Sequence, residues 1–141
     1  MTNKPIYPIT FLKTKNLQTT RIFYEKIMNF PVALEQGGCI IFRIGNYGYW
    51  GFCETDEEII RPEKVCLTVV VEEREDVEEW HKYLIENNVK LKRVPQTSSQ
   101  YKIYNGFYFD PNGYVLEIQA FDQDGKPVGH DAFLGKSEGD S

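Results

Sequence analysis

Residues 9–15, ITFLKTK, alternate large apolar positions with smaller or polar ones, the period-two pattern of a half-buried strand. Asn16 follows as an N-cap, and Leu17, Ile22, Phe23, Ile27 and Met28 then recur near a 3.6-residue period, predicting an amphipathic helix that ends before Pro31. Three strand-like runs come next, 32–36, 39–44 and 49–54, separated by the turns Gly37-Gly38 and Gly45-Asn46-Tyr47-Gly48. The order is βαβββ.

The same order begins again after a charged, proline-containing linker at 55–64. Residues 65–72 are rich in apolar and β-branched side chains and predict a buried strand. Asp76 with Glu79 three residues on predicts a helix start, and Val77, Trp80, Leu84 and Ile85 give that helix an apolar stripe ended by Asn87-Asn88. Strands at 89–94, 102–109 and 114–121 complete the unit, the last two joined through Asp110-Pro111-Asn112-Gly113. The chain therefore reads as an α+β protein of two tandem βαβββ modules, 7–54 and 65–121, with a partly mobile extension at 122–141. A unit of roughly 60 residues buries too little surface to be robust, so both modules are expected to share one structural domain.

Composition narrows the function classes. The 141 residues carry a net charge of −5 with no block of Lys or Arg, which excludes a phosphate-binding footprint and hence nucleic acid as a partner. No run approaches the roughly 20 apolar residues of a membrane span, and the N-terminus lacks a signal-peptide core, so a soluble, cytoplasmic protein is expected. Cys39, Cys53 and Cys66 form no CxxC pair and read as reduced thiols, Cys39 and Cys53 simply packing. His81, expected near solvent on the second helix, and His130 in the extension are poorly placed to share a metal ion.

The segment FYFDPNGYVLEIQ at 107–119, and a first helix carrying Leu17 and Phe23-Tyr24-Glu25, resemble the vicinal oxygen chelate superfamily of glyoxalases, bleomycin-binding proteins and extradiol dioxygenases. The resemblance implies a curved mixed sheet around a cavity with the helices outside, and a homodimer. It also implies four ligand positions in metal-dependent members, falling here on Ile9, Phe52, Cys66 and Glu117. Ile and Phe have no lone pair, which leaves Cys66 and Glu117 as residual metal candidates, a mismatched thiol and carboxylate. No cofactor is expected on this basis, and a divalent metal is disfavoured.

Strand alternation sends Leu116, Ile118 and Ala120 toward a helix and Glu117, with Val115 and Gln119, into the cavity. Ile9, Phe11, Trp50 and Phe52, with Thr68, are expected to form an aromatic wall, Cys66 to adjoin it and Tyr104 to stand at its rim; a wholly filled core is the other reading. Glu117 fits ligand recognition, a general base, a metal remnant, or a carboxylate paired with Lys13 or Arg43. The expectation is a small-molecule-binding protein similar to the non-metal, bleomycin-binding branch, sequestering a drug or metabolite. The alternative is a lyase, isomerase or dioxygenase of the same superfamily, with an atypical metal site or with Glu117 as catalytic base.

Overall fold

The computed structural model describes residues 3–134. The chain divides into two compact units, Met1–Pro62 and Glu63–Ser141, and each contains one four-stranded mixed sheet.

In the first unit the order is β1 (Thr10–Thr14), α1 (Leu17–Arg21), a π-helical stretch (Ile22–Ile27), β2 (Val32–Gln36), β3 (Cys39–Ile44) and β4 (Gly48–Glu54). The sheet runs β1-β4-β3-β2, with β1 parallel to β4 and the other pairs antiparallel. Asn16 caps α1 as expected, its side chain accepting from the Thr19 N–H at 3.0 Å. The turn into the helix is also held by a buried hydroxyl pair, Thr14 and Thr20 at 2.8 Å. The single predicted helix changes winding midway: the Met28 N–H bonds the Phe23 carbonyl, five residues back. Asn29, at φ 59°, then reverses the chain ahead of Phe30-Pro31.

This winding seats Tyr24, 0% exposed, at the centre of the core. Its ring stacks on Phe52 with centroids 4.7 Å apart and meets Trp50 edge-on at 6.1 Å. Phe23, Phe30 and Phe42 complete the cluster.

The second unit repeats the plan as β5 (Cys66–Val70), α2 (Arg74–Glu86), β6 (Lys90–Thr97), β7 (Ile103–Phe109) and β8 (Val115–Phe121), in sheet order β5-β8-β7-β6. Helix α2 begins earlier than the sequence pattern suggested. Glu73 is the N-cap, and Asp76 occupies the third helical position, where its carboxylate reaches back to the Glu73 N–H at 2.9 Å. Val77 and Leu84, both 0% exposed, are the buried residues of α2, while Leu116, Ile118 and Tyr108 are fully buried in the sheet. Ile85, included in the expected stripe, is 42% exposed.

The β7–β8 hairpin turns on Asp110, whose carboxylate accepts from the N–H groups of Asn112 and Tyr114 at 2.8 and 2.9 Å, with Gly113 at φ 90°. This turn fixes the register of the site strand, because it sets Phe109 opposite Val115 and therefore Phe107 opposite Glu117.

The extension beyond β8 is docked over its described part. Arg74 holds Asp122 at 2.9 Å, Lys102 holds Asp124, and α3 (His130–Phe133) places the His130 ring edge-on to Phe121. Its final residues, 135–141, lie outside the described residues. Among the described residues no helix is long and apolar enough to cross a membrane.

Candidate functional site

The polar cluster lies on the β5-β8-β7-β6 sheet, on the face opposite the buried row Leu116, Ile118 and Ala120. Parallel pairing sets Thr68 beside Glu117 and Cys66 beside Val115, and the antiparallel β7 adds Phe107 and Asn105 to the same face. Glu117 is 8% exposed, and both of its carboxylate oxygens are engaged. Thr68 Oγ1–H donates to Oε1 at 2.7 Å, and Asn105 Nδ2–H donates to Oε2 at 2.7 Å. The Cys66 thiol lies 3.7 Å from Oε1.

Arg93 completes the chain. Its guanidinium donates to Asn105 Oδ1 and lies over the Phe107 ring, 4.7 Å from the centroid. That donation fixes the Asn105 amide, since only its NH2 end is then left to face Glu117. Within its own unit Glu117 is thus linked to a cation, Arg93, through the Asn105 amide. Arg43 bonds the Asn46 carbonyl in its own hairpin.

Burial pushes the Cys66 thiol above its ordinary range, and the Glu117 charge adds to the effect, while Thr68 partly opposes it. Cys66 is an exposed residue, and the raised pKa lowers the thiolate fraction it offers at pH 7.5. Alkylation of Cys66 by iodoacetamide in the folded protein is expected to run several-fold slower at pH 7.5 than on a free thiol. The gap should close once the protein is unfolded; equal rates in both states would contradict the environment described.

Of the expected site residues, Cys66, Thr68 and Glu117 come together. Trp50 and Phe52 do not line an open wall: Thr10 pairs with Trp50 and Leu12 with Phe52, so both rings fall on the helix side, 9% and 0% exposed. Phe11, 58% exposed, lies on the other face opposite Gly51, where an added Cβ would come within 2.6 Å of its ring. Ile9 precedes β1 and is 37% exposed. Tyr104 is also displaced from its expected rim position, since its hydroxyl donates to Glu78 and the Arg74 guanidinium lies over its ring, both from α2. His81, expected near solvent, shares a 2.8 Å hydrogen bond between Nδ1 and the buried Tyr108 hydroxyl.

On the face of the first sheet opposite its aromatic core, β1–β4 pairs Phe11 with Gly51 and Lys13 with Cys53. Cys53 and Cys39, a cross-strand pair in β3–β4, form a disulfide rather than packing as free thiols. Its sulfur is consumed in that bond. A catalytic divalent ion normally takes three protein ligands, and the second unit brings together two candidate donors, Cys66 and Glu117. Among the described residues no three His, Cys, Asp or Glu side chains gather as metal ligands.

Asn105, Arg93 and Phe107 are absent from the sequence-derived set. The signal for Asn105 and Phe107 was the Asp110–Gly113 turn, which fixes cross-strand partners by counting outward. Arg93 carried none, because β6 pairs with β7 through two register shifts.

Solved structures of similar fold include a glyoxalase/bleomycin resistance protein/dioxygenase from Nocardioides, 16% identical, covering 90% of each chain with a TM-score of 0.74. An integron cassette protein from the mobile metagenome of the Halifax Harbour sewage outfall is 23% identical over 84% of this chain and 100% of its own, with a TM-score of 0.72. A lactoylglutathione lyase from Agrobacterium tumefaciens is 15% identical over 86% and 100%, with a TM-score of 0.68. At these identities the likeness is one of fold. No curated protein matches the chain. Tandem βαβββ units with β1∥β4 and β5∥β8, and the turn that sets Glu117 in β8, agree with the family model that matches residues 8–118, and the chain belongs to the Glyoxalase/Bleomycin resistance protein/Dioxygenase superfamily.

Proposed function

We propose that this protein binds a small organic molecule without a metal, holding a cationic or N–H-donating group of the ligand at Glu117 on the β5–β8 face. The observation that carries the reading is the carboxylate itself. It is buried and oriented by Thr68 and Asn105, and backed by Arg93 through the amide. Each carboxylate oxygen has two lone pairs, and the one direct bond to Oε2 leaves acceptor capacity for a ligand donor. Phe107 and Val115 supply apolar surface on the same face. A fixed acceptor of this kind suits sequestration of a drug or metabolite, which requires no reaction.

A thermal-shift screen with planar cationic antibiotics and small oxo-acids tests the reading, because a ligand at one hundred times its Kd stabilises the folded state by about 2.7 kcal/mol. A cationic compound should raise the melting temperature and an oxo-acid should not; no shift with any compound sinks the proposal. The enzyme alternative would appear as stoichiometric metal in protein purified without chelators, lost in Glu117→Ala. The same reading carries a homodimer acting in the cytoplasm, checked by light scattering and by cell fractionation.

A further inference from the structure

The Cys39–Cys53 disulfide occupies the sheet face away from the aromatic core of the first unit. Cys39 borders a depression of about 410 Å³ lined with it by Phe11, Leu34, Gln36, Gly37 and Ile41, and Cys53 is paired in register with Lys13 on β1. Both cysteines are half-buried, and Phe11 and Leu34 are 58% and 46% exposed. We propose that this disulfide is a site of reversible thiol–disulfide exchange with a small organic thiol, which enters the depression and attacks Cys39.

Three observations support the assignment. Access is the first: the depression is apolar, and Cys39, half-buried rather than enclosed, is one of the residues that line it. The leaving group is the second. Attack on Cys39 Sγ breaks the S–S bond and leaves the electron pair on Cys53, whose partner across the β1–β4 ladder is Lys13. The third is that the fold does not hang on the bond. The two residues are directly opposite in a ladder that continues through Ile40–Phe52 and Ile41–Gly51, and the core rings Tyr24, Phe42 and Phe52 lie on the other face.

The chemistry balances with thiol alone as reductant. One thiolate forms a mixed disulfide with Cys39 while Cys53 departs as thiolate. A second thiolate attacks the ligand sulfur of that mixed disulfide and releases Cys39. Two thiols are oxidised to one small-molecule disulfide, their two protons passing to Cys39 and Cys53, which are reduced. Cys66 lies on the other sheet, an exposed residue whose thiol pKa is raised by desolvation, against the Thr68 hydrogen bond and with the Glu117 charge.

The test equilibrates the folded full-length protein in graded mixtures of reduced and oxidised glutathione without denaturant, traps it by alkylation, and assigns each cysteine by peptide mass spectrometry. Circular dichroism is recorded alongside. Cys39 and Cys53 should become alkylated together within the range of that buffer while the spectrum stays folded. In Cys53→Ser, oxidised glutathione should add to Cys39 faster than to Cys66. Reduction that occurs only with loss of the folded spectrum overturns the proposal, as does addition to Cys66 at the rate of Cys39. If Cys53→Ser does not fold, the wild-type titration decides alone. An unchanged reduction rate at pH 7 in Lys13→Gln overturns the part given to Lys13, for which a several-fold slowing is expected.

Discussion

Phe52→Ala is expected to destabilise the protein by about 3–5 kcal/mol, the range for truncating a buried aromatic ring. Phe52 is 0% exposed and stacks on Tyr24, which also touches Phe42, Trp50, Phe30 and Phe23. Removing one ring opens a cavity that the others cannot all close, because each is already packed against Tyr24. A loss of this size is a large share of the roughly 5–15 kcal/mol that stabilises an ordinary domain. It should appear as a drop in Tm on the order of 10 °C. Phe11→Ala, on the exposed face of the same sheet, should cost under about 1 kcal/mol. The pair separates two roles for aromatic residues in this unit. Had Phe52 lined an open ligand wall, its truncation would have weakened binding and spared stability; a small change in its denaturation midpoint would contradict the packing described.

Glu117 variants should divide charge from structure. In Glu117→Ala the Asn105 amide loses its acceptor while Arg93 keeps it turned the same way, so a buried donor is left unpaired. The expected cost is about 1–3 kcal/mol. Glu117→Gln is gentler: its amide oxygen can accept from Asn105, its NH2 can donate to Thr68 Oγ1, and the Thr68 hydroxyl can rotate to suit. The melting temperature of the unliganded Gln variant should therefore stay close to that of the native protein. Affinity for a cationic ligand found in the screen should fall tenfold or more, because a charge-assisted hydrogen bond is replaced by a neutral one. Calorimetric titration of both proteins checks the pair of outcomes. If Glu117→Gln binds as tightly as the native chain, the carboxylate has only a structural role and the proposed ligand site is wrong.

Legibility in the sequence followed the distance over which each feature is decided. The strands at 32–36 and 39–44 coincide with β2 and β3, because Gly37-Gly38 marks the hairpin locally. Glu117 on the face opposite Leu116, Ile118 and Ala120 was likewise readable, since alternation within one strand needs no partner. Trp50 and Phe52 were misplaced for the opposite reason. Their face depends on the register of β1 against β4, parallel strands forty residues apart in sequence, and a slip of one residue exchanges the two faces. Tyr104 followed the same rule: alternation alone could not say that Arg74 and Glu78 of α2 would claim it.

By itself the sequence determined the tandem βαβββ order and the carboxylate in the last strand, both encoded in local periodicity and turn chemistry, and it carried the superfamily resemblance in the segment at 107–119 and the first helix. Only the tertiary structure decided that the first unit's central aromatics serve its core, that Cys39 and Cys53 meet, and that Arg93 and Asn105 orient Glu117. Those outcomes depend on side chains far apart in sequence being brought into register, and neither the bulges of β6 nor the parallel pairing of β1 with β4 leaves a local pattern from which to read it.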